Sequence, residues 1–144
     1  MTTATDDLTL TVTHTYAAAP DRVFDAWLDP AVLPRFMTPA ADMSVTACTA
    51  DAVEGGRFEI VMHKDGEDMP HAGTYLTIDR PNRLVFTWES RHSVAEGSTV
   101  TLDFVPRDGG TELTLTHVRF ATESSRDGHE AGWTAILAEL ERVL

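Results

Sequence analysis

The sequence predicts an α+β fold in which a strongly curved, seven-stranded antiparallel sheet wraps around one long C-terminal helix. Three observations predict it. Residues 122–144 form a proline-free stretch in which Trp133, Ile136, Leu137, Leu140, Val143 and Leu144 recur at one-faced helical spacing. Between residues 42 and 119, short segments of alternating apolar and polar residues are separated by turn signals of hairpin length, which makes their pairing antiparallel. The sheet and the helix then each have one apolar face, and the simplest way to bury both is against each other. A curved sheet cannot touch a single helix everywhere, so this packing leaves volume between them for a ligand.

Residues 1–7 are polar and expected to fray; the domain is taken as residues 8–144. Leu8, Leu10, Val12 and His14 alternate with four threonines, the pattern of a half-buried strand. Pro20 suits the first position of a helix, and Val23, Phe24, Trp27 and Leu28 mark its buried face. A second short helix is expected over Ala31–Phe36, ending before Pro39. Strands follow at Met43–Thr49 and Arg57–His63. Asp65-Gly66 is a favoured two-residue hairpin turn, and it sets Ile60 opposite His71 and Met62 opposite Met69. Phe58, Ile60, Met62, Met69, His71 and Gly73 then share one face. Further strands are expected at His71–Ile78, Leu84–Glu89, Thr99–Phe104 and Thr111–Arg119. Their inward sets are Leu84, Phe86 and Trp88, then Val100, Leu102 and Phe104, then Leu113, Leu115 and His117. Thr122 caps the last helix, and Glu123 sits in its first turn where the helix dipole favours an anion. Gly128 and Gly132 lie one turn apart in that helix, just before Trp133. Glycine costs roughly 1 kcal/mol against alanine inside a helix. Two of them point to close approach, of packed chain or of a small molecule.

The totals narrow the function. The chain of 144 residues has 23 acidic and 11 basic residues, for a net charge of −12. Such a charge repels phosphate backbones and anionic membrane surfaces, so no nucleic-acid partner and no membrane insertion are expected. No apolar run approaches the ~18 residues of a membrane span. The first residues, MTTATDD, show neither basic patch nor apolar run, so no signal peptide is expected and the predicted location is cytoplasmic. The one cysteine, Cys48, has no partner for an internal disulfide and no adjacent cationic cluster to activate it.

Six stretches resemble a known family. They are Tyr16-Ala17-Ala18-Ala19-Pro20-Asp21-Arg22-Val23-Phe24-Asp25-Ala26-Trp27, Gly55-Gly56-Arg57-Phe58, Gly73-Thr74-Tyr75-Leu76-Thr77-Ile78-Asp79, Leu84-Val85-Phe86-Thr87-Trp88, Leu113-Thr114-Leu115-Thr116-His117 and Gly128-His129-Glu130-Ala131-Gly132-Trp133. In this order the chain resembles the family named after the carboxy-terminal domain of the HSP-90 ATPase activator. That family lies within the START-like, or Bet v 1-like, superfamily with its helix-grip fold. The resemblance implies a cavity that holds lipids, sterols, polyketides or other apolar molecules. Relatives often carry a tryptophan pair where this chain has Phe36-Met37, which implies a differently shaped entrance. The eukaryotic activator has an additional amino-terminal domain that this sequence lacks.

The candidate ligand-binding residues are Phe36, Met62, Met69, His71, Trp88, His117, Phe120, Trp133 and Ile136. They are aromatic or methionine-rich, suiting an adaptable apolar wall, with His71 and His117 as polar groups to orient a ligand. Trp88 and Trp133 each carry an N–H that needs a partner when buried. For each residue the plainer alternative is ordinary core, and for the two histidines a core imidazole bonded to a neighbour. The six histidines lack the spacing of a zinc motif, and His63 and His71 point to opposite faces, so no metal and no cofactor are expected. No nucleophile motif and no carboxylate pair are recognisable, so no catalytic residue is assigned. Arg57 could fix a ligand carboxylate, against the plainer reading of a surface ion pair. The leading expectation is non-catalytic binding of a small hydrophobic molecule. The alternatives are an enzyme using His71 or His117 as acid or base, and a chaperone-regulating interaction module. A homodimer through an exposed sheet face stays open.

Overall fold

A computed structural model describes residues 8–90 and 94–144, with the side chains of 94–96 outside that description. The expected fraying of residues 1–7 and the position of His92 therefore lie outside the described residues. Eleven elements follow in order: β1 (Leu8–Tyr16), α1 (Pro20–Ala26), α2 (Leu33–Phe36), β2 (Ser44–Ala50), β3 (Arg57–Lys64), β4 (Glu67–Asp79), β5 (Arg83–Thr87), β6 (Glu89–Ser90), β7 (Val94–Arg107), β8 (Gly110–Phe120) and α3 (Glu123–Val143). The strands form one antiparallel sheet in the order β1-β8-β7-β5-β4-β3-β2, with β6 paired to β4.

The hairpin between β3 and β4 has the register its turn predicts: Ile60 faces His71 and Met62 faces Met69. Asp65 (φ 53°) and Gly66 (φ 76°) both take the left-handed conformation. This turn matches the right-handed twist of the strands it joins. Asp108 (φ 51°) and Gly109 (φ 82°) repeat the device between β7 and β8.

One strand departs from expectation. The run expected over Leu84–Glu89 breaks at Trp88, giving eight strands in place of seven. β5 pairs β7 up to Thr87, and the Trp88 N–H donates to the Ser98 carbonyl at 2.9 Å. The chain then leaves β7 and pairs β4 through Glu89 and Ser90. β4 itself shifts register between Tyr75 and Thr77, and such a bulge bends the strand and re-aims the side chains beside it. Trp88 is carried at this corner.

The core is the shared inner face. Leu84, Val100, Leu102, Leu113, Leu115, Leu137 and Leu140 are fully buried within it. α3 lies against β1, β8 and α2. Two bonds fix it to β1: the Tyr16 hydroxyl donates to the Leu137 carbonyl at 2.7 Å, and His14 Nε2 lies 2.7 Å from Glu141 Oε1. Held along that side, the helix faces β3 and β4 across a gap. No described helix is long and apolar enough to cross a membrane.

Candidate functional site

The gap is a cavity of about 320 Å³. Its walls come from both layers: Met62 from β3, His71 from β4, Trp88 from the corner between β5 and β6, and Gly128, Gly132, Trp133 and Ile136 from α3. Met62, Trp88, Trp133 and Ile136 are buried, whereas Ser124 and Gly128 are exposed, so the mouth opens beside the first turns of α3. Pro39 and the side of α3 at Ser125 and His129 complete the rim.

The two glycines have different roles here. A methyl group built on Gly128 would meet no atom within 4 Å, so this position leaves open space at the cavity. On Gly132 it would lie 3.2 Å from Pro39 Cβ, so this position allows the loop after α2 to approach the helix. The Thr122 hydroxyl accepts from the Ser125 N–H at 3.0 Å, capping the turn that forms the rim.

Five of the nine candidate residues line the cavity: Met62, His71, Trp88, Trp133 and Ile136. Four do not. Phe36 is fully buried against Trp27, with ring centroids 5.1 Å apart. Its neighbour Met37 lies at a void of only about 10 Å³, so the Phe36-Met37 pair shapes the core and not the mouth. Met69 pairs with Met62 across the hairpin and packs against the core from a partly buried position. Phe120 stacks between His117 and His129, at 4.3 and 5.1 Å. Pro39, Ser124, Ser125 and His129 were missed, since nothing in their local pattern sets them apart from loop and helix-start residues.

His117 is the fourth, and its place is a correction with a physical reason. It is fully buried one layer behind the cavity. Trp133 Nε1–H donates to its Nδ1 at 3.0 Å. Nδ1 is then the acceptor, so Nε2 carries the proton and donates to Ser98 Oγ at 2.5 Å. Burial, with repulsion from His129, pushes its pKa down to about 3. It is a neutral strut that holds the Trp133 ring, with both nitrogens engaged. His129 also leans to the neutral form, because burial lowers its pKa against the opposing effect of its bond to the Ser125 carbonyl at 2.8 Å.

Arg57 grips both oxygens of Glu89, at 2.8 and 3.0 Å, and this ion pair holds the Glu89 pKa below the usual carboxylate range. The surface-pair reading of Arg57 stands. Glu54 is an exposed turn residue that accepts the Ile78 N–H at 2.9 Å. Cys48 is partly buried, and desolvation raises its thiol pKa, away from a reactive thiolate. Among the described residues, no group of three or more His, Cys, Asp or Glu is placed to hold a metal.

Solved structures share this architecture over almost the full length. Protein CV1439 from Chromobacterium violaceum is 21% identical with a TM-score of 0.84, covering 93% of this chain and 94% of its own. The AHSA1-like protein from Aeromonas hydrophila is 28% identical with a TM-score of 0.78, covering 94% and 91%. CalU16 from Micromonospora echinospora is 24% identical with a TM-score of 0.73, covering 95% of this chain and 76% of its own. No curated protein matches the sequence. The family model described as activator of Hsp90 ATPase homolog 1-like protein matches residues 17–144, and the chain belongs to that family.

Proposed function

We propose that this protein binds a small, largely apolar molecule in the cavity between the sheet and α3, without transforming it. The observation that carries the reading is the cavity itself: about 320 Å³, with a mouth beside the first turns of α3. That is within the range of small-molecule sites, at its lower end. Apolar groups form most of its wall, and a few polar groups gather at the rim, the arrangement that binds by burial and orients by hydrogen bonds. Met62, His71, Trp88, Trp133 and Ile136 form the ligand wall. His117 orients Trp133 from behind.

Two measurements test this. Native mass spectrometry of the purified chain should find a bound small molecule. A thermal-shift panel of lipids and polyketides should raise the melting temperature for at least one member. Binding at a hundredfold excess over Kd adds about 2.7 kcal/mol of stability. Absence of both signals would contradict the reading. The acid–base alternative loses His117, whose two nitrogens are committed to Trp133 and Ser98.

A further inference from the structure

We infer that the ligand is a neutral, planar molecule of about two fused rings whose carbonyl-type oxygen accepts a hydrogen bond from the Trp88 indole. This rests on the cavity being a ligand site, as proposed above, and adds the chemical class.

Size comes first. An apolar cavity of roughly 150 Å³ takes one benzene. A volume of about 320 Å³ is twice that, which suits two rings and excludes a sterol or a long acyl chain held whole. Shape follows from the walls. The Trp88 and Trp133 rings lie 5.0 Å apart at 58°, and His71 lies 5.0 Å from Trp88 at 31°. These π-faces favour a flat aromatic guest in offset or edge contact. Charge is set by what the wall lacks: among the described residues, no Lys, Arg, Asp or Glu lines it. A charged guest would lose its hydration with no counter-ion in return.

The acceptor follows from Trp88. It lines the cavity, is 3% exposed, and its Nε1 donor has no hydrogen-bond partner among the described residues. An indole nitrogen only donates, so it can be satisfied only by an acceptor. Trp27 Nε1 is also without a partner, but Trp27 borders the void of about 10 Å³, which no ligand of this size can enter. Trp133, by contrast, already spends its donor on His117. Of the three tryptophans, Trp88 alone offers its N–H to a guest.

The test titrates the full-length protein with coumarin, naphthalene, 1-naphthoate and 1-octanol, following the three indole N–H resonances by ¹⁵N NMR. Trp88→Phe assigns the Trp88 signal. Coumarin should bind at least tenfold more tightly than naphthalene or 1-naphthoate and should move the Trp88 N–H downfield. Trp88→Phe should bring coumarin and naphthalene to equal affinity. Should that variant not fold, the Trp88 resonance, assigned by triple-resonance experiments on the wild type, decides alone. Equal affinities in the wild type, or an unmoved Trp88 signal with coumarin bound, would overturn the inference. Octanol binding in the absence of ring binding would overturn it too, while leaving the cavity reading intact. No binding by any of the four would count against both. In Gly128→Leu, which places a bulky side chain at a lining position of the cavity, loss of coumarin binding locates the probe; retention would place it elsewhere and overturn the inference.

Discussion

His117 joins three elements at one side chain. It takes a proton donor from α3 through Trp133 and gives one to β7 through Ser98. His117→Leu keeps similar bulk but strands both partners in the core. At about 1–3 kcal/mol for each of the two unsatisfied buried groups, it should lower unfolding free energy by roughly 2–6 kcal/mol in urea denaturation. His117→Gln can accept from Trp133 and donate to Ser98 with its amide, so it should recover part of that loss. The same residue makes stability depend on pH. Its folded pKa of about 3 lies below the ordinary value near 6.5. The unfolded chain therefore takes up the proton first. The contribution of neutral His117 is fully present above about pH 6.5 and is lost as pH falls toward 3. The slope is up to about 1.4 kcal/mol per pH unit. His129, also lowered, acts in the same direction. Denaturation midpoints should fall steadily from pH 7 to pH 4.5 in the wild type and less steeply in His117→Gln. Equal slopes would mean that His117 is not the group responsible. Sequence pattern placed His117 on the inner face of its strand, and that much was legible. Whether a buried imidazole faces a ligand or a tryptophan one layer back depends on the neighbouring strand and helix, which no local pattern encodes.

At the scale of elements, α3 is held at one side and open at the other. The Tyr16 hydroxyl and the Leu137 carbonyl form a buried bond that fixes its middle to β1. Burial and the nearby Glu141 carboxylate keep that phenol protonated by raising its pKa. Tyr16→Phe removes the donor and should cost about 1–2 kcal/mol. It should also speed hydrogen exchange in the last turns of α3 more than in β7 or β8. Gly128 and Gly132 separate packing from ligand space in one helix. Gly128→Ala adds a methyl where nothing lies within 4 Å, so the helix-propensity gain of up to about 1 kcal/mol should appear in full as a higher melting temperature. Gly132→Ala brings its methyl to 3.2 Å from Pro39 Cβ and should gain less. Equal gains would mean that the loop yields freely to the helix. The glycine spacing marked this helix as unusual from sequence alone. The division of labour between the two was not legible, because Pro39 reaches Gly132 only after α2 and its loop have folded back.

For the whole molecule, the apolar alternation in β5, β7 and β8 fixed the buried set, and the Asp-Gly turn fixed the β3–β4 register to the residue. The main path of the sheet has the seven expected strands, and the two-residue β6 is split off by the break at Trp88, where the pairing passes from β7 to β4, a long-range event that local alternation does not encode. The same break places Trp88 in the cavity wall. The global arrangement is a sheet whose β1–β8 side grips α3 while its β3–β4 side stands off, and the cavity is the consequence. The most direct test of that account is a fluorescence titration of the wild type and Gly128→Leu with coumarin and 1-octanol, each variant's melting temperature measured in parallel. The account predicts saturable binding that quenches tryptophan emission in the wild type. In Gly128→Leu the binding should be lost while the melting temperature stays equal or rises. Equal binding by the two proteins, or binding of neither coumarin nor 1-octanol by the wild type, would contradict it.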